Sequence, residues 1–300
     1  MLDPDAAWRL LKDARALAAA GRRAEAAGRL RSLLLDLGTG PDAKELRLKT
    51  YGGLFQVLLA DGPSVRLSRI FREAVAEFCT LPDPDFDELY VAGAAATSTS
   101  LTPLQRRDRF LFLVQQLDKV QALDGLVAEC GCFQGLSSFL MCSRIRRHKP
   151  GFDGSGYQIY DSFQGLSEPG AEDVEDVEEA ALEFVARDMK KGKFRASLEW
   201  VKLSLAAFPR ISYFPGWIPA AFAPDNPARY RFVHVDVDLF QPTMDSFEYF
   251  WPRLVPGGIV VCDDYKWPGA KRAVEVFCSR QGVPFNVTPA TQAWFTRPAA

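Results

Sequence analysis

Two apolar runs in this chain end abruptly in carboxylates. Phe232-Val233-His234-Val235 leads into Asp236-Val237-Asp238, and Val260-Val261-Cys262 leads into Asp263-Asp264-Tyr265. Runs of this kind, rich in β-branched residues, read as buried parallel strands, and in open α/β sheets ligands bind just beyond the strands' carboxyl ends. If these two strands are neighbours, four carboxylates converge on one rim. Like charges that close are unstable unless protonated or bridged by a cation. An all-oxygen donor set favours a hard ion, Mg²⁺ or Ca²⁺, over zinc. The plainer reading makes some of these acids helix N-caps or surface turns.

A second pattern lies upstream. Leu126-Val127-Ala128-Glu129 has a strand-like start with an acid at its end, Gly131 and Gly135 follow in Gly-x-x-x-Gly spacing, and the amphipathic run from Leu136 to Ile145 reads as a helix. Glycines let backbone approach a ligand closely and leave helix N–H groups pointing at it. The spacing is not the Gly-x-Gly-x-x-Gly of dinucleotide sites. Tyr157-Gln158-Ile159-Tyr160 then ends in Asp161-Ser162-Phe163. An acid at the end of a second strand is placed to accept from ribose hydroxyls. It lies about 30 residues beyond the glycine turn where about 20 is usual, and the polar segment His148 to Gly156 supplies the excess as a loop.

On these residues the C-terminal two-thirds of the chain, roughly residues 100 to 297, resembles the macrocin O-methyltransferase family, a metal-dependent branch of the class I S-adenosylmethionine methyltransferases. Four blocks carry the likeness: Val127 to Ser138, Tyr160 to Leu166, Val235 to Phe240 with Thr243-Met244, and Pro256 to Tyr265 continuing through Pro268 to Val274. Val237 stands where the family usually has Gly between the two acids. The acid after Phe163-Gln164-Gly165-Leu166 and the C-terminal tail are also untypical.

The resemblance implies an α/β fold: a Rossmann-like class I methyltransferase sheet of seven strands, the last antiparallel, with an N-terminal helical extension. It implies S-adenosyl-L-methionine as cofactor, contacted by Glu129, Gly131, Gly135, Ser137, Asp161 and Ser162. It implies Mg²⁺, or another hard divalent cation, held by Asp236, Asp263 and Asp264, with Asp236 also the catalytic proton acceptor and Asp238 a further ligand or acceptor contact. His234 shares a strand face with Asp236 and is either a packed core histidine or a catalytic group. Trp217, after the third strand, is either a pocket wall or core.

Composition fits an ordinary cytoplasmic enzyme. The chain has 300 residues, 48% apolar and 25% charged, with a net charge of -2, which gives no electrostatic case for nucleic acid. No apolar run reaches membrane-spanning length and the N-terminus lacks a signal-peptide layout. The six cysteines lack paired zinc spacing and read as reduced, buried thiols. A homodimer is the default expectation for oligomeric state.

Two parts are expected, a helical region over 1–95 and a methyltransferase domain over 96–300. Helices are expected over Ala6–Ala20, Arg22–Leu37, Ala43–Leu59 and Val65–Cys79, with a linker at Leu81–Asp85 or around Ala94–Ser100. The second part alternates strands and helices, the signature of a parallel sheet. Strands are expected at Gly125–Glu129, Gly156–Tyr160, Ile211–Phe214, Phe232–Asp236 and Gly258–Cys262, with a terminal hairpin of Phe285–Thr288 and Gln292–Thr296. Between the second and third strands an acidic helix, Glu172–Ala186, precedes the basic stretch Lys190-Lys191-Gly192-Lys193. Residues 168–193 read as a solvated face or as a lid over the acceptor.

The expected function is divalent-metal-dependent O-methylation of a hydroxyl, on a sugar or a glycosylated natural product. A nicotinamide-dependent oxidoreductase on a similar sheet, or a non-catalytic scaffold binding a partner through its N-terminal helices, are the alternatives.

Overall fold

The computed structural model describes residues 3–174 and 189–298. The chain divides into two compact units, Met1–Asp108 and Arg109–Ala300.

The first unit is helical: α1 (Pro4–Ala19), α2 (Arg23–Asp36), α3 (Lys44–Leu59), α4 (Val65–Phe78) and α5 (Pro84–Ala96), each packed on the next. Asp3, Ser64 and Asp83 cap α1, α4 and α5 by accepting from backbone N–H groups in the first turn. The Asp83-Pro84 pair, expected within a linker, is therefore a helix start: a capping acid followed by Pro at the first helical position. Buried Leu30, Leu54, Phe55 and Phe71 fill the interior. Arg107 is fully buried here, paired with Asp87 and donating to the Leu81 and Asp83 carbonyls. The division into units falls within α6 (Gln105–Lys119), later than the expected boundary near 95.

The second unit is built on β1 (Leu126–Cys130), α7 (Leu136–His148), β2 (Tyr157–Asp161), a 3-10 turn (Ala171–Asp173), α8 (Leu198–Ser204), β3 (Ser212–Pro215) and β4 (Tyr230–Val235). It continues with α9 (Phe240–Phe250), β5 (Leu254–Cys262), α10 (Pro268–Gln281), β6 (Phe285–Val287) and β7 (Ala293–Thr296). The seven strands form one sheet in the order β3-β2-β1-β4-β5-β7-β6. All pairs from β3 to β5 are parallel, and β7 runs antiparallel to both β5 and β6. Each strand expected from sequence is present, displaced by a residue or two. β5 starts earlier, at Leu254.

This order puts β1 and β4 side by side at the centre, with β2 and β5 flanking them. Glu129 pairs in register with His234, and Val235 with Cys262, so the strand ends that carry the acids are level. The core is the apolar body of these strands with Phe247, Phe250, Phe277 and Phe295 packed against it. Residues 175–188, which hold most of the expected acidic helix, lie outside the described residues. The basic stretch Lys190 to Lys193 is exposed. No helix among the described residues is long and apolar enough to cross a membrane.

Candidate active site

The glycine turn after β1 is left-handed at Gly131 (φ 81°), Phe133 (φ 47°) and Gly135 (φ 91°). Gly131 is the position that demands glycine, because a Cβ there would overlap the carbonyl oxygen of Asp236. The cofactor-type turn thus lies directly against the backbone of the acid-bearing loop. Their link is reinforced by the Asp236 N–H donating to the Cys130 carbonyl at 2.8 Å. Gly135 caps α7 with no side chain, and Ser137 and Ser138 in its first turn are buried. A helix N-terminus without a side-chain cap is suited to an anionic ligand.

Asp161 ends β2 next to this turn. Its Oδ2 accepts from the Cys132 N–H and its Oδ1 from the Phe163 N–H, both at 2.7 Å. Two oxygens of an ionised carboxylate offer about four lone-pair sites, so capacity remains for hydroxyl donors. Ser162, expected beside it, is turned into its own loop: its hydroxyl donates to the Gly165 carbonyl at 2.8 Å and accepts from the Gln164 N–H.

Glu129, expected to contact the cofactor, is placed beneath the turn rather than in it. Its side chain points into the interior and has no exposure. It accepts from the hydroxyls of Ser138 and Tyr157 and lies 3.1 Å from His234 Nδ1. The reason is strand alternation: on β1 this residue faces α7 and its in-register neighbour His234. Glu129 therefore organises the sheet interior beneath the turn, and a direct cofactor contact is not what its geometry provides.

The four acids expected at one rim are near one another, in two overlapping groups. Asp236, Asp238 and Asp264 each offer an oxygen, all within 4.8 Å of one another, and a nitrogen of His234 does the same with Asp236 and Asp263. Asp236 belongs to both. Asp263 is fully buried, ion-paired with Arg109, and accepts from Gln292 Nε2 at 2.5 Å. His234 is fully buried, with Nε2 3.7 Å from Asp263 Oδ1, beyond hydrogen-bond reach. Asp238 is the left-handed residue of its turn (φ 60°), and its N–H donates to Asp264 Oδ2 at 3.0 Å. Val237, standing where glycine is usual, is spared that conformation, and Asp is among the residues that tolerate it. All-carboxylate donors at this spacing suit a hard divalent cation, so the residues present fit the ion that the resemblance implies.

The electrostatics agree. Burial, and then the neighbouring Asp264 carboxylate, push Asp236 up to about 7 from an ordinary value of 3.8. Burial, with Asp264 and Asp236 beside it, raises Asp238 well above the usual carboxylate range. A raised folded-state value means the folded chain holds a proton that the unfolded chain has lost. Stability from Asp236 is therefore present at low pH and declines as pH rises from about 4 towards about 7. In thermal unfolding of the cation-free protein, the melting temperature is expected to fall across that window more steeply than in Asp236→Asn. Added Mg²⁺ is expected to restore it on the alkaline side. Equal slopes in the two proteins would refute the assignment.

The cysteines are all free thiols, and burial pushes those of Cys132, Cys142 and Cys262 well up, as inert core groups. Trp217 is partly exposed, its indole N–H donating to the Gly165 carbonyl at 3.2 Å, so it belongs to the loop wall rather than the core. Phe133 and Phe194, both partly exposed, meet edge-to-face at 5.7 Å beside the glycine turn. Sequence reasoning missed Arg109, Gln292 and Asp173. The first two touch the site only through tertiary packing, and Asp173 lay at the head of what reads as an acidic surface helix.

Comparison with known proteins places these features in context. The family model described as Macrocin-O-methyltransferase (TylF) matches residues 94–295. A curated relative from Streptomyces olivaceus, 8-demethyl-8-(2,3-dimethoxy-alpha-L-rhamnosyl)-tetracenomycin-C 4'-O-methyltransferase, is 26% identical over 243 residues, covering 77% of this chain and 88% of its own. Among solved structures, the O-methyltransferase NovP superposes with a TM-score of 0.53 at 23% identity, covering 64% of this chain and 80% of that one. The calicheamicin methyltransferase CalS11 gives 0.53 at 18% identity, covering 72% and 94%. Both structural likenesses are of fold.

Proposed function

The chain belongs to the macrocin O-methyltransferase family, and from that premise we propose that it is a divalent-cation-dependent O-methyltransferase whose acceptor is a sugar hydroxyl on a glycosylated natural product. That it is an O-methyltransferase on an S-adenosylmethionine-type fold follows from the family and the seven-stranded sheet. This sets aside the nicotinamide and scaffold alternatives. The cation and the acceptor are the proposal. The observation that carries the cation is the gathering of Asp236, Asp238 and Asp264 oxygens within 4.8 Å on a rim where burial resists their joint ionisation. The sugar acceptor is supported by the rhamnosyl substrate in the name of the Streptomyces relative.

When bound, S-adenosylmethionine would supply an activated methyl group, and the cation would supply positive charge next to the acceptor oxygen. The chain's part is alignment and proton removal. Gly131 and Gly135 would shape the turn for the cofactor, the uncapped first turn of α7 would suit its carboxylate, and Asp161 would accept from its ribose hydroxyls. Among the described residues, Asp236, Asp238 and Asp264 would hold the ion. Asp263, expected from sequence as a ligand, is instead engaged by Arg109 and Gln292 and meets Asp236 only in the group with His234. A positive charge lowers the basicity of the carboxylates that hold it. The same charge would acidify an acceptor hydroxyl beside it, so Asp236, the residue expected from sequence, would still take the proton.

Asp161→Ala is expected to weaken S-adenosylhomocysteine binding by about 10- to 100-fold, the worth of one or two hydrogen bonds to a charged group, and to leave Mn²⁺ binding as in the wild type. Calorimetric titration checks both. Unchanged S-adenosylhomocysteine affinity would remove Asp161 from the ribose. The function itself is tested by incubating the protein with S-adenosylmethionine carrying a labelled methyl and a panel of deoxyglycosylated polyketides, with Mg²⁺ or with chelator. Label on a sugar hydroxyl only when Mg²⁺ is present is the expected result. Transfer at full rate in chelator would end the cation assignment, and transfer only to an aglycone phenol would end the sugar assignment.

A further inference from the structure

The segment after β2 reaches to the far side of the site. β2 is separated from β4 and β5 by β1 in the sheet, yet Asp173, shortly downstream of β2, meets the helices that follow β4 and β5. Its Oδ1 accepts from the N–H of Phe240, the first residue of α9, at 2.7 Å. The same oxygen occupies the space above Gly269 in the first turn of α10, where any Cβ would overlap it. Its Oδ2 accepts from the Gly170 N–H at 2.8 Å, which closes the 3-10 turn around the carboxylate. The side chain is 2% exposed. The near end of the segment is also fixed: the Leu166 N–H donates to the Lys193 carbonyl and the Gly192 N–H to the Leu166 carbonyl, each at 2.9 Å.

These two helix starts terminate the acid-bearing loops. Phe240 lies two residues beyond Asp238, whose N–H is bonded to Asp264. Gly269 lies two residues beyond Trp267, whose N–H donates to the Asp264 carbonyl at 2.8 Å. One carboxylate, itself outside the acid cluster, thus touches the end of both loops. A buried carboxylate is costly in apolar surroundings. Glycine at 269 makes room for this one, and an acceptor at a helix N-terminus is favoured there.

We propose that Asp173 is a positioning residue that clasps the first turns of α9 and α10, holding the loops of Asp236, Asp238, Asp263 and Asp264 at cation-binding spacing and tying them to the cofactor-side loop after β2. The role in spacing rests on the cation-dependent reading above; the clasp itself does not.

Three variants test it in the full chain: Asp173→Ala, Asp173→Asn and Gly269→Ala. Amide hydrogen exchange at Phe240 in cation-free protein is expected to quicken in Asp173→Ala and Gly269→Ala, and less in Asp173→Asn, whose side-chain oxygen still accepts. Mn²⁺ affinity is expected to fall by about 10- to 100-fold in Asp173→Ala, as for residues that orient metal ligands from behind, with partial rescue in Asp173→Asn. S-adenosylhomocysteine affinity stays that of the wild type. Combining Asp173→Ala with Gly269→Ala adds little to either, because both remove one contact. Unaltered Phe240 exchange in Asp173→Ala would overturn the clasp. Quickened exchange with wild-type Mn²⁺ affinity would overturn the positioning role alone. Equal losses of Mn²⁺ and S-adenosylhomocysteine binding would mark a merely structural residue and also overturn it. A wild-type chain that binds no Mn²⁺ would overturn the cation reading and the positioning role together.

Discussion

Asp236→Asn is expected to lower Mg²⁺-dependent methyl transfer by about 10²- to 10³-fold or more, the loss typical when one preorganised electrostatic group is removed from a reacting centre, while S-adenosylhomocysteine still binds and the chain still folds. Asp236 is the one carboxylate shared by both groups able to hold a cation. Its backbone N–H is fixed on Cys130, so the substitution leaves the strand end in place. Its carboxyl is raised to about 7 by burial and by Asp264. A neutral amide therefore fits the pocket at least as well as the charge did, and stability should hold or rise. Activity with Mg²⁺ and chelator, S-adenosylhomocysteine titration and thermal unfolding separate these effects. Full turnover in the variant would remove Asp236 from the chemistry. Loss of cofactor binding together with activity would mean the substitution acted on the fold.

Gly131→Ala is expected to do the opposite, abolishing cofactor and cation binding together. The residue sits at φ 81°, which costs an L-residue about 1–2 kcal/mol. The added methyl also collides with the Asp236 carbonyl, a backbone atom that cannot swing aside. Overpacking of that kind adds about 1–3 kcal/mol. The turn can relieve the clash only by moving away from the acid loop, so both half-sites should suffer. Titration with S-adenosylhomocysteine and with Mn²⁺, beside the melting temperature, reads the outcome. Wild-type affinity for either ligand would show that the turn and the acid loop are not tied as the contact implies. Gly151→Ala, also left-handed but with open space around it, controls for the backbone penalty alone.

The sheet was legible because its strands are apolar runs closed by charged or glycine residues, a one-dimensional pattern. Strand neighbours were legible as far as the family likeness went, and the level ends of β4 and β5 follow from their register. Asp161 and the acids of the 236–238 and 263–264 loops could be singled out because each sits where a strand stops, a place with chemical meaning in any α/β sheet. Glu129 sits at such a place too, yet alternation turns its side chain inward, and a single residue's offset at a strand end is below what apolar pattern resolves. Arg109 and Gln292 were illegible for a different reason. One is a cation in a charged amphipathic helix and the other a polar residue just before β7, and only the folded chain brings both to Asp263. Asp173 was hidden by its neighbours: the acidic run it introduces reads as a solvated surface, while the side chain itself is buried against two helix starts. In the helical unit, Asp83-Pro84 carried a start signal that its loop-like composition obscured.

The chemistry of this site depends on whether its rim of carboxylates holds a cation. The most direct measurement is calorimetric titration of Mn²⁺ into the metal-free protein saturated with S-adenosylhomocysteine, in the wild type and in Asp236→Asn. The account predicts one cation per wild-type chain, with affinity that rises as pH passes through about 7, and no such binding in Asp236→Asn. An absence of binding in the wild type, or equal binding in both proteins, would contradict it.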